Sequence, residues 1–328
     1  MNNNTSASSG LAKAWKAVSK QKAVVVILAI LVLMLIPKTN FYTSYNWLDM
    51  LRSTAILEIV AFGVTIPVIC GGCDLSVGGT LCLGGIVAVM IINAGMPIWM
   101  GFVAAIACGV VIGLINGFLI VHQKTAPFII TLGMGMLLKG ICQQLTNAHP
   151  LTCSVNASAF MKIANGKLFG SIPNLVVYMF VLAILFFILL RFTSFGRNCY
   201  AIGGNYDVAQ NSGIAVVRIK WTAYIICGVT AAVAGVLLSS KMRTGSSVFG
   251  DDTGMRVNCG VVIGGTSFAG GVGGIVESFI GLFAVQLINN CMSMLGIDGY
   301  VQRLAEGLLI VLIIFLDCYF RKLKRERV

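Results

Sequence analysis

Two acidic residues lie within apolar sequence, and this position limits the chemistry open to them. Glu58 stands in the middle of an apolar stretch from about residue 47 to residue 70, and Asp74 follows in the glycine-rich sequence GGCDLSVGGT. A carboxyl group at membrane depth costs at least about 2–3 kcal/mol unless it faces a cavity or a partner. We therefore expect Glu58 to point into the protein, where an acid can meet a polar solute or an ion.

The glycine-rich segment around Asp74 has two interpretations. Irregular backbone is tolerated at membrane depth only where it is buried in protein or lines water, which would place residues 71–80 beside a solute path. The other interpretation is a tight cytosolic turn, with Asp74 and Ser76 capping the helix that follows. The spacing alone favours neither interpretation.

Other residue types that could catalyse a reaction or bind a metal form no recognisable pattern. Cys70 and Cys73 have CxxC spacing, but the chain holds only two histidines and no second cysteine pair of this kind. The eleven cysteines are scattered mainly through apolar segments, where cysteine behaves as a small hydrophobe. Because GxxxxGK[ST] and HExxH motifs are also missing, we predict no catalytic residue, cofactor or metal. The chain is not expected to be an enzyme, and any ATP hydrolysis would need a separate chain.

The composition indicates a membrane protein with several spans. Hydrophobic residues make up 58% of the chain, charged residues only 10%, and the mean hydropathy is +0.93. Soluble domains contain about 25% charged residues. The net charge of +12 comes from basic residues at segment ends and in the tails, which argues against a nucleic-acid-binding face.

Apolar runs predict an all-α bundle of about ten membrane segments, some of them broken by glycine. Fourteen of the 23 Lys and Arg residues then fall on one side, which places both termini in the cytosol. We expect residues 146–173 to be external, with a helix near 157–163, and residues 241–256 to form a second outer loop. Residues 1–22 and 321–328 are expected to be cytosolic tails around a transmembrane domain at 23–320. The predicted segments are 23–36, 47–70, 81–93, 97–120, 127–145, 174–190, 222–240, a half-helix within 260–274, 275–295 and 305–319.

A long basic loop at residues 193–220 separates two sets of apolar segments. Lys and Arg at its ends place it in the cytosol, and a loop of this length is more often functional than idle. Glycines at 203, 204 and 213 predict sharp turns around a short helix at about 205–212. We expect this helix to bind a cytosolic partner through Tyr206, Val208 and Ala209, with Ala209 closest to the partner.

Five ordered blocks of sequence share a pattern with one transporter family. Together they resemble the membrane permeases of ribose-type ABC sugar importers, in the branched-chain/ribose permease superfamily, over nearly the whole chain from about residue 46. The main departures are Cys73, Asn211 and the pair at 272–273. The blocks are GGCDLSVGG at 71–79, GLING at 113–117 with APFIITLG at 126–133, GR at 196–197 with AIGGN at 201–205 and SGI at 212–214, VIGGTSFAGG at 262–271, and NN at 289–290 with LG at 295–296.

This resemblance implies a permease like those of type II ABC importers, in the cytoplasmic (inner) membrane of a bacterium. Its implied partners are a second permease subunit, identical or different, a cytosolic ATP-binding cassette ATPase, an external solute-binding protein and membrane lipids, with no nucleic acid. The short cytosolic helix becomes the coupling element to the ATPase, formed by Gly204, Asn205, Tyr206, Val208, Ala209, Ser212 and Gly213. The implied substrate path holds Glu58, Asp74, Ser76, Asn116, Thr131, Asn289 and Asn290.

Alternatives remain open for the path residues and for the function. Asn116, Thr131, Asn289 and Asn290 are equally suited to hydrogen bonds between helices. Glu58 and Asp74 would also suit a secondary transporter driven by an ion gradient, and a membrane scaffold without transport is a third class. Within the ABC class, the sequence permits ribose, galactose, xylose, a signalling furanose or a nucleoside as the solute.

Overall fold

The computed structural model describes residues 40–168, 172–308 and 311. The predicted first span at 23–36, the cytosolic tails and most of the predicted last span lie outside these residues. The chain divides into two compact units, residues 51–282 and residues 1–50 with 283–328. Within the described part, six helices are long and apolar enough to cross a membrane. The fold is therefore an all-α membrane bundle, as the sequence predicted.

Among the described residues, eleven helices with defined ends follow a short 3-10 turn at Asn40–Tyr42. They are α1 (Ser44–Ile69), α2 (Val77–Asn93), α3 (Ile98–Val121), α4 (Pro127–Thr146), α5 (Ala157–Asn165), α6 (Asn174–Phe192), α7 (Ser194–Gly204), α8 (Tyr206–Asn211), α9 (Val216–Met242), α10 (Thr253–Ile263) and α11 (Ile275–Met294). Residues 299–308 form a further helical stretch. Four two-residue strands complete the described elements: β1 (Leu151–Thr152), β2 (Lys167–Leu168), β3 (Ile172–Pro173) and β4 (Thr244–Gly245).

Helices α2, α3 and α9 pack through small residues. Gly109 of α3 and Gly228 of α9 lie so close that a Cβ on either would overlap the carbonyl oxygen of the other. A Cβ on Gly84 of α2 would stand 2.8 Å from the carbonyl oxygen of Ala232 of α9. Membrane helices associate by such close backbone approach because lipid tails supply no hydrophobic force between them. These contacts join the three helices into one tightly packed group.

The predicted external segment contains the helix expected near residues 157–163. This helix, α5, is fixed to the end of α9 because the backbone N–H of Ala164 donates to Ser240 Oγ at 3.2 Å. Next to it, β1 pairs antiparallel with β4, so that Leu151 faces Gly245 and Thr152 faces Thr244. The strand pairing ties residues 146–173 to the chain that follows α9.

The region after β4 differs from the prediction. Residues 241–256 were expected to form an outer loop and residues 260–274 to contain a half-helix. Instead, helix α10 already begins at Thr253, and residues 264–274 are not helical. Within residues 264–274, the glycines at 265, 270, 271 and 273 have positive φ angles, which only glycine adopts at little cost. The half-helix therefore precedes the glycine-rich break.

Candidate functional site

The first glycine-rich break holds a buried polar cluster. Asp74 Oδ1 accepts hydrogen bonds from the backbone N–H of Ser76 at 2.9 Å and from Ser76 Oγ at 2.6 Å. Asn116 Nδ2 of α3 donates to Ser76 Oγ at 2.8 Å, and all three side chains are buried. The Ser76 side chain makes no capping bond to α2. This geometry agrees with irregular backbone buried in protein, and it corrects the expectation that the Ser76 side chain caps the next helix.

Residues that the sequence analysis did not identify complete the cluster. Asn258 Nδ2 of α10 donates to the backbone oxygens of Asp74 at 2.8 Å and Gly254 at 2.7 Å. The Tyr224 hydroxyl of α9 donates to the backbone oxygen of Cys73 at 3.4 Å. The sequence neighbours of Asn258 are apolar, and an amide side chain among apolar residues indicates a buried hydrogen bond. The signal was missed because the residues just before it, 241–256, were assigned to an external loop.

Two amide oxygens in this cluster are free to accept a hydrogen bond. Asn116 Oδ1 and Asn258 Oδ1 are both buried, and neither has a partner among the residues that the structure describes. A buried acceptor without a partner costs about 1–3 kcal/mol. The break therefore offers two acceptor positions that a hydroxyl group or a water molecule could fill, next to backbone that is already irregular.

The other expected path residues make contacts of their own. Glu58 is fully buried in α1, and neither carboxyl oxygen has a hydrogen-bond partner among the described residues. Thr131 Oγ1 donates to the backbone oxygen of Pro127 in its own helix at 2.8 Å. In the unit formed by residues 1–50 and 283–328, Asn290 and Asn46 exchange amide hydrogen bonds of 2.9 and 3.0 Å, and Asn289 is half-buried. Asn290 thus links α11 to α1 at this end.

The basic loop at 193–220 is mainly helical. Helix α7 begins at Ser194, where Thr193 Oγ1 accepts a bond from the Gly196 N–H at 3.2 Å. The loop's last residues already belong to α9, which begins at Val216, six residues before the predicted start. The expected short helix is α8, and Asn205 caps it by accepting from the Val208 N–H at 3.1 Å. Ser212 and Gly213 end it, and Gly213 has a φ of +81°.

The residue expected to be closest to a partner is buried within this chain. Ala209 is only 3% exposed and packs with Ile202 of α7 and Val216 of α9. The exposed apolar side chains of α8 are Val208, at 60%, and Tyr206, at 40%. The expectation for Ala209 is corrected, because a six-residue helix lying against the protein must turn one side inward, and its small residue is the one that fits there.

Gly203 and Gly204 do not form the sharp turn that was predicted. Both are the last residues of α7, and they lie against the two glycine-rich breaks. A Cβ on Gly203 would overlap the carbonyl oxygen of Ile69 and the amide nitrogen of Gly271, which are themselves hydrogen-bonded at 2.9 Å. We call this meeting point of residues 69–72, 203–204 and 270–273 the glycine junction.

Tyr200 adds a hydrogen bond from α7 to the glycine junction. Its hydroxyl donates to the backbone oxygen of Gly273 at 2.8 Å. Burial, followed by the nearby carboxylate of Glu277, raises the pKa of Tyr200, so the phenol keeps the proton that this bond requires. Helix α7 therefore contacts both breaks, and α8 follows it in the chain and packs against it through Ala209 and Ile202.

Comparison with known proteins identifies the family. The model of the family described as "Branched-chain amino acid transport system / permease component" matches residues 46–316. The ribose import permease protein RbsC of Escherichia coli strain K12 is 32% identical over 307 residues, which cover 93% of this chain and 95% of the relative. RbsC of Bacillus subtilis strain 168 is 36% identical over 292 residues, 89% of each chain. The L-arabinose transport system permease protein AraH of Escherichia coli strain K12 is 28% identical over 286 residues, 87% of this chain and 86% of the relative. No solved structure matches the chain. Since the family model covers most of the chain, the chain belongs to the permease components of the branched-chain amino acid transport system family.

Proposed function

We propose that this chain is the permease subunit of an ATP-driven importer that carries a monosaccharide across the inner membrane of a bacterium. The relatives named for ribose and arabinose transport support the solute class. The observation that carries the mechanism is the glycine junction, where α7, the helix just before the proposed ATPase contact, touches both breaks in the bundle. The partners would be a separate ATPase, an external solute-binding protein and a second permease subunit.

The proposed contact with the ATPase is the exposed side of α8. Val208 and Tyr206 supply apolar surface there, while Ala209 and the cap of Asn205 hold the helix rigid from the other side. The Lys220 ammonium lies 5.8 Å from the centre of the Tyr206 ring, which favours one orientation of that ring. Both chain termini and residues 193–220 would face the cytosol under the positive-inside bias.

The proposed solute path passes the break at Asp74. Its backbone is irregular, its polar cluster is buried, and the free oxygens of Asn116 and Asn258 lie in the same cluster. Broken helices of this kind mark the substrate site in many transporters. A displacement of α8 would be transmitted to this break through the contact between Gly203 and Ile69 at the glycine junction.

Coexpression with the partner ATPase and vesicle transport test the proposal. Val208→Glu places a charge on the exposed side of α8, and burying an unpaired charge in a contact costs several kcal/mol. We expect it to abolish both copurification of the ATPase and ATP-driven sugar uptake. Lys167→Glu, in strand β2 of the segment proposed to be external, is the control and should retain both. If Val208→Glu also retains both, the assignment of α8 as the coupling element is wrong.

Glu58 favours a second candidate, a transporter driven by an ion gradient. Its buried carboxyl group has no partner in the described structure, as expected of a group that binds and releases a proton. Glu58→Gln keeps the shape and removes the titration. The ABC importer should retain uptake, whereas a proton-driven transporter should lose it at normal membrane levels. Uptake that needs a proton gradient and no ATP would support the second candidate.

A further inference from the structure

A cavity with an ion pair lies between α2, α4 and the segment joining β4 to α10. Its volume is 210 Å³, which holds about seven water molecules at about 30 Å³ each. Lys139 Nζ of α4 lies 2.7 Å from Asp251 Oδ1 in the joining segment, and both side chains line the cavity. Leu132 and Met136, from the preceding turns of α4, form an apolar wall beside the pair. Nothing in the site described above uses these groups.

The depth of Lys139 within α4 restricts what it can face. It is the only charged residue of this 20-residue helix. With a rise of 1.5 Å per residue, it lies about 10 Å from the C-terminal end of α4 and about 18 Å from the other end. The two side chains of the pair are 45% and 39% exposed. Charges at this depth face a bundle interior or a water-filled cavity, so the exposed part of the pair faces water and not lipid.

The cavity also adjoins the first glycine-rich break. A Cβ on Gly78 or on Gly250 would overlap the carbonyl oxygen of the other, so the joining segment runs directly against the start of α2. The Gly250 N–H donates to Cys82 Sγ at 3.0 Å, which fixes the backbone just before Asp251. Leu75, next to the buried Asp74, lines the same cavity. A solute in the cavity would thus touch the break itself.

We propose that Lys139 and Asp251 bind the hydroxyl groups of an uncharged, polyhydroxylated solute in this cavity. An ammonium has three donors and a carboxylate about four acceptor positions, so the 2.7 Å bond between them leaves capacity on both. Neighbouring hydroxyl groups can accept from Lys139 and donate to Asp251 at once, and such charge-assisted bonds are strong. A charged solute would break the pair, because it attracts one member and repels the other. Met136 and Leu132 suit the C–H face of the same solute.

This inference rests on the proposed function, and sugar uptake tests both separately. The permease, reconstituted with its ATPase and binding protein, is offered radiolabelled D-ribose, D-xylose and L-arabinose. Lys139→Met and Asp251→Asn should each reduce uptake at low sugar concentration about ten-fold, equal to about 1.4 kcal/mol. Lys139→Arg and Asp251→Glu should stay within about three-fold of the wild type, since they keep the charge. Copurified ATPase, at wild-type amounts, establishes that each variant is folded.

Water access to position 139 can be measured without knowing the solute. The permease, with its native cysteines replaced by serine or alanine, receives Lys139→Cys or the control Leu137→Cys. Leu137 is 55% exposed but does not line the cavity. A membrane-impermeant thiol reagent should label Lys139→Cys and leave Leu137→Cys unlabelled, and a transported sugar should slow the labelling at 139.

Three outcomes have different meanings. Wild-type uptake by Lys139→Met would overturn the inference and leave the proposed function intact. No ATP-driven uptake of any sugar by the wild type would refute the proposed function, and labelling would still decide whether position 139 faces water. An unlabelled Lys139→Cys, or a disulfide between two copies at that position, would overturn the inference because another protein surface covers the pair.

Discussion

Substituting Gly203 tests whether α7 and α8 are mechanically joined to the two glycine-rich breaks. A Cβ at this position would overlap both atoms of the hydrogen bond between the Gly271 N–H and the Ile69 carbonyl oxygen. Overpacking costs about 1–3 kcal/mol and a lost hydrogen bond about 0.5–1.5 kcal/mol, while alanine in a helix recovers about 1 kcal/mol. We therefore expect Gly203→Ala to destabilise the glycine junction by roughly 0.5–3.5 kcal/mol.

The assay measures two quantities, and a substitution of the next residue, Gly204, serves as the control. The melting temperature of the purified permease reports the stability of the junction, and the ratio of sugar imported to ATP hydrolysed reports coupling in vesicles. Gly203→Ala should lower both. Gly204→Ala should preserve both, because a Cβ there has no described atom within 4 Å. Equal behaviour of the two variants would refute the view that the junction transmits force from α8.

Three further predictions concern packing, the polar cluster and topology. Gly228→Ala should lower the melting temperature by overpacking α9 against α3, while Gly133→Ala, whose Cβ meets no described atom within 4 Å, should not. Asn116→Leu should lower the free energy of unfolding by about 0.5–1.5 kcal/mol, seen as a lower melting temperature, because the hydrogen bond to Ser76 Oγ is lost while the unpaired Oδ1 is removed as well; an unchanged value would contradict a structural role. Cysteines introduced at the exposed residues Lys167 and Gln210 should react with an impermeant reagent from opposite sides of the membrane, and labelling from the same side would refute the topology.

The long helices were well predicted from the sequence because few amino-acid patterns are compatible with a helix that crosses a membrane. The predicted segment 97–120 corresponds to α3 at Ile98–Val121, and 127–145 corresponds to α4 at Pro127–Thr146. Continuous apolar residues bounded by proline and glycine are required wherever a helix crosses lipid. The number of ten spans remains a prediction, since the first predicted span lies outside the described residues.

The glycine-rich regions were harder to predict because glycine is required for two different reasons. One is a positive φ angle, and the other is a close approach between two backbones. Gly271 has a φ of +72°, which other residues rarely adopt. Gly203 is helical, and its missing side chain makes room for the backbone of Ile69. The sequence does not distinguish a turn from a close approach, so α7 was missed and a turn was placed inside it.

The composition of the buried cluster was easier to predict than its contacts. Asp74, Ser76 and Asn116 were each selected as polar residues near the path, and the structure brings these three together. Asn258 was missed because the residues before it, 241–256, were assigned to an outer loop. Ala209 was placed on the wrong side of α8 because a small residue suits a contact with this chain as well as one with a partner.

The close packing of α2, α3 and α9 limits which parts of the permease can move. Where bare backbones touch, as at Gly109 and Gly228, a slide of one residue would drive a side chain into a main chain. We expect these three helices to travel as one rigid body through a transport cycle. The backbone changes that open a path to either side of the membrane must then occur in the non-helical stretches beside these helices. These stretches are residues 70–76, 246–252 and 264–274. Labels for distance measurements are therefore best placed as pairs, one on the rigid body and one on each of these stretches.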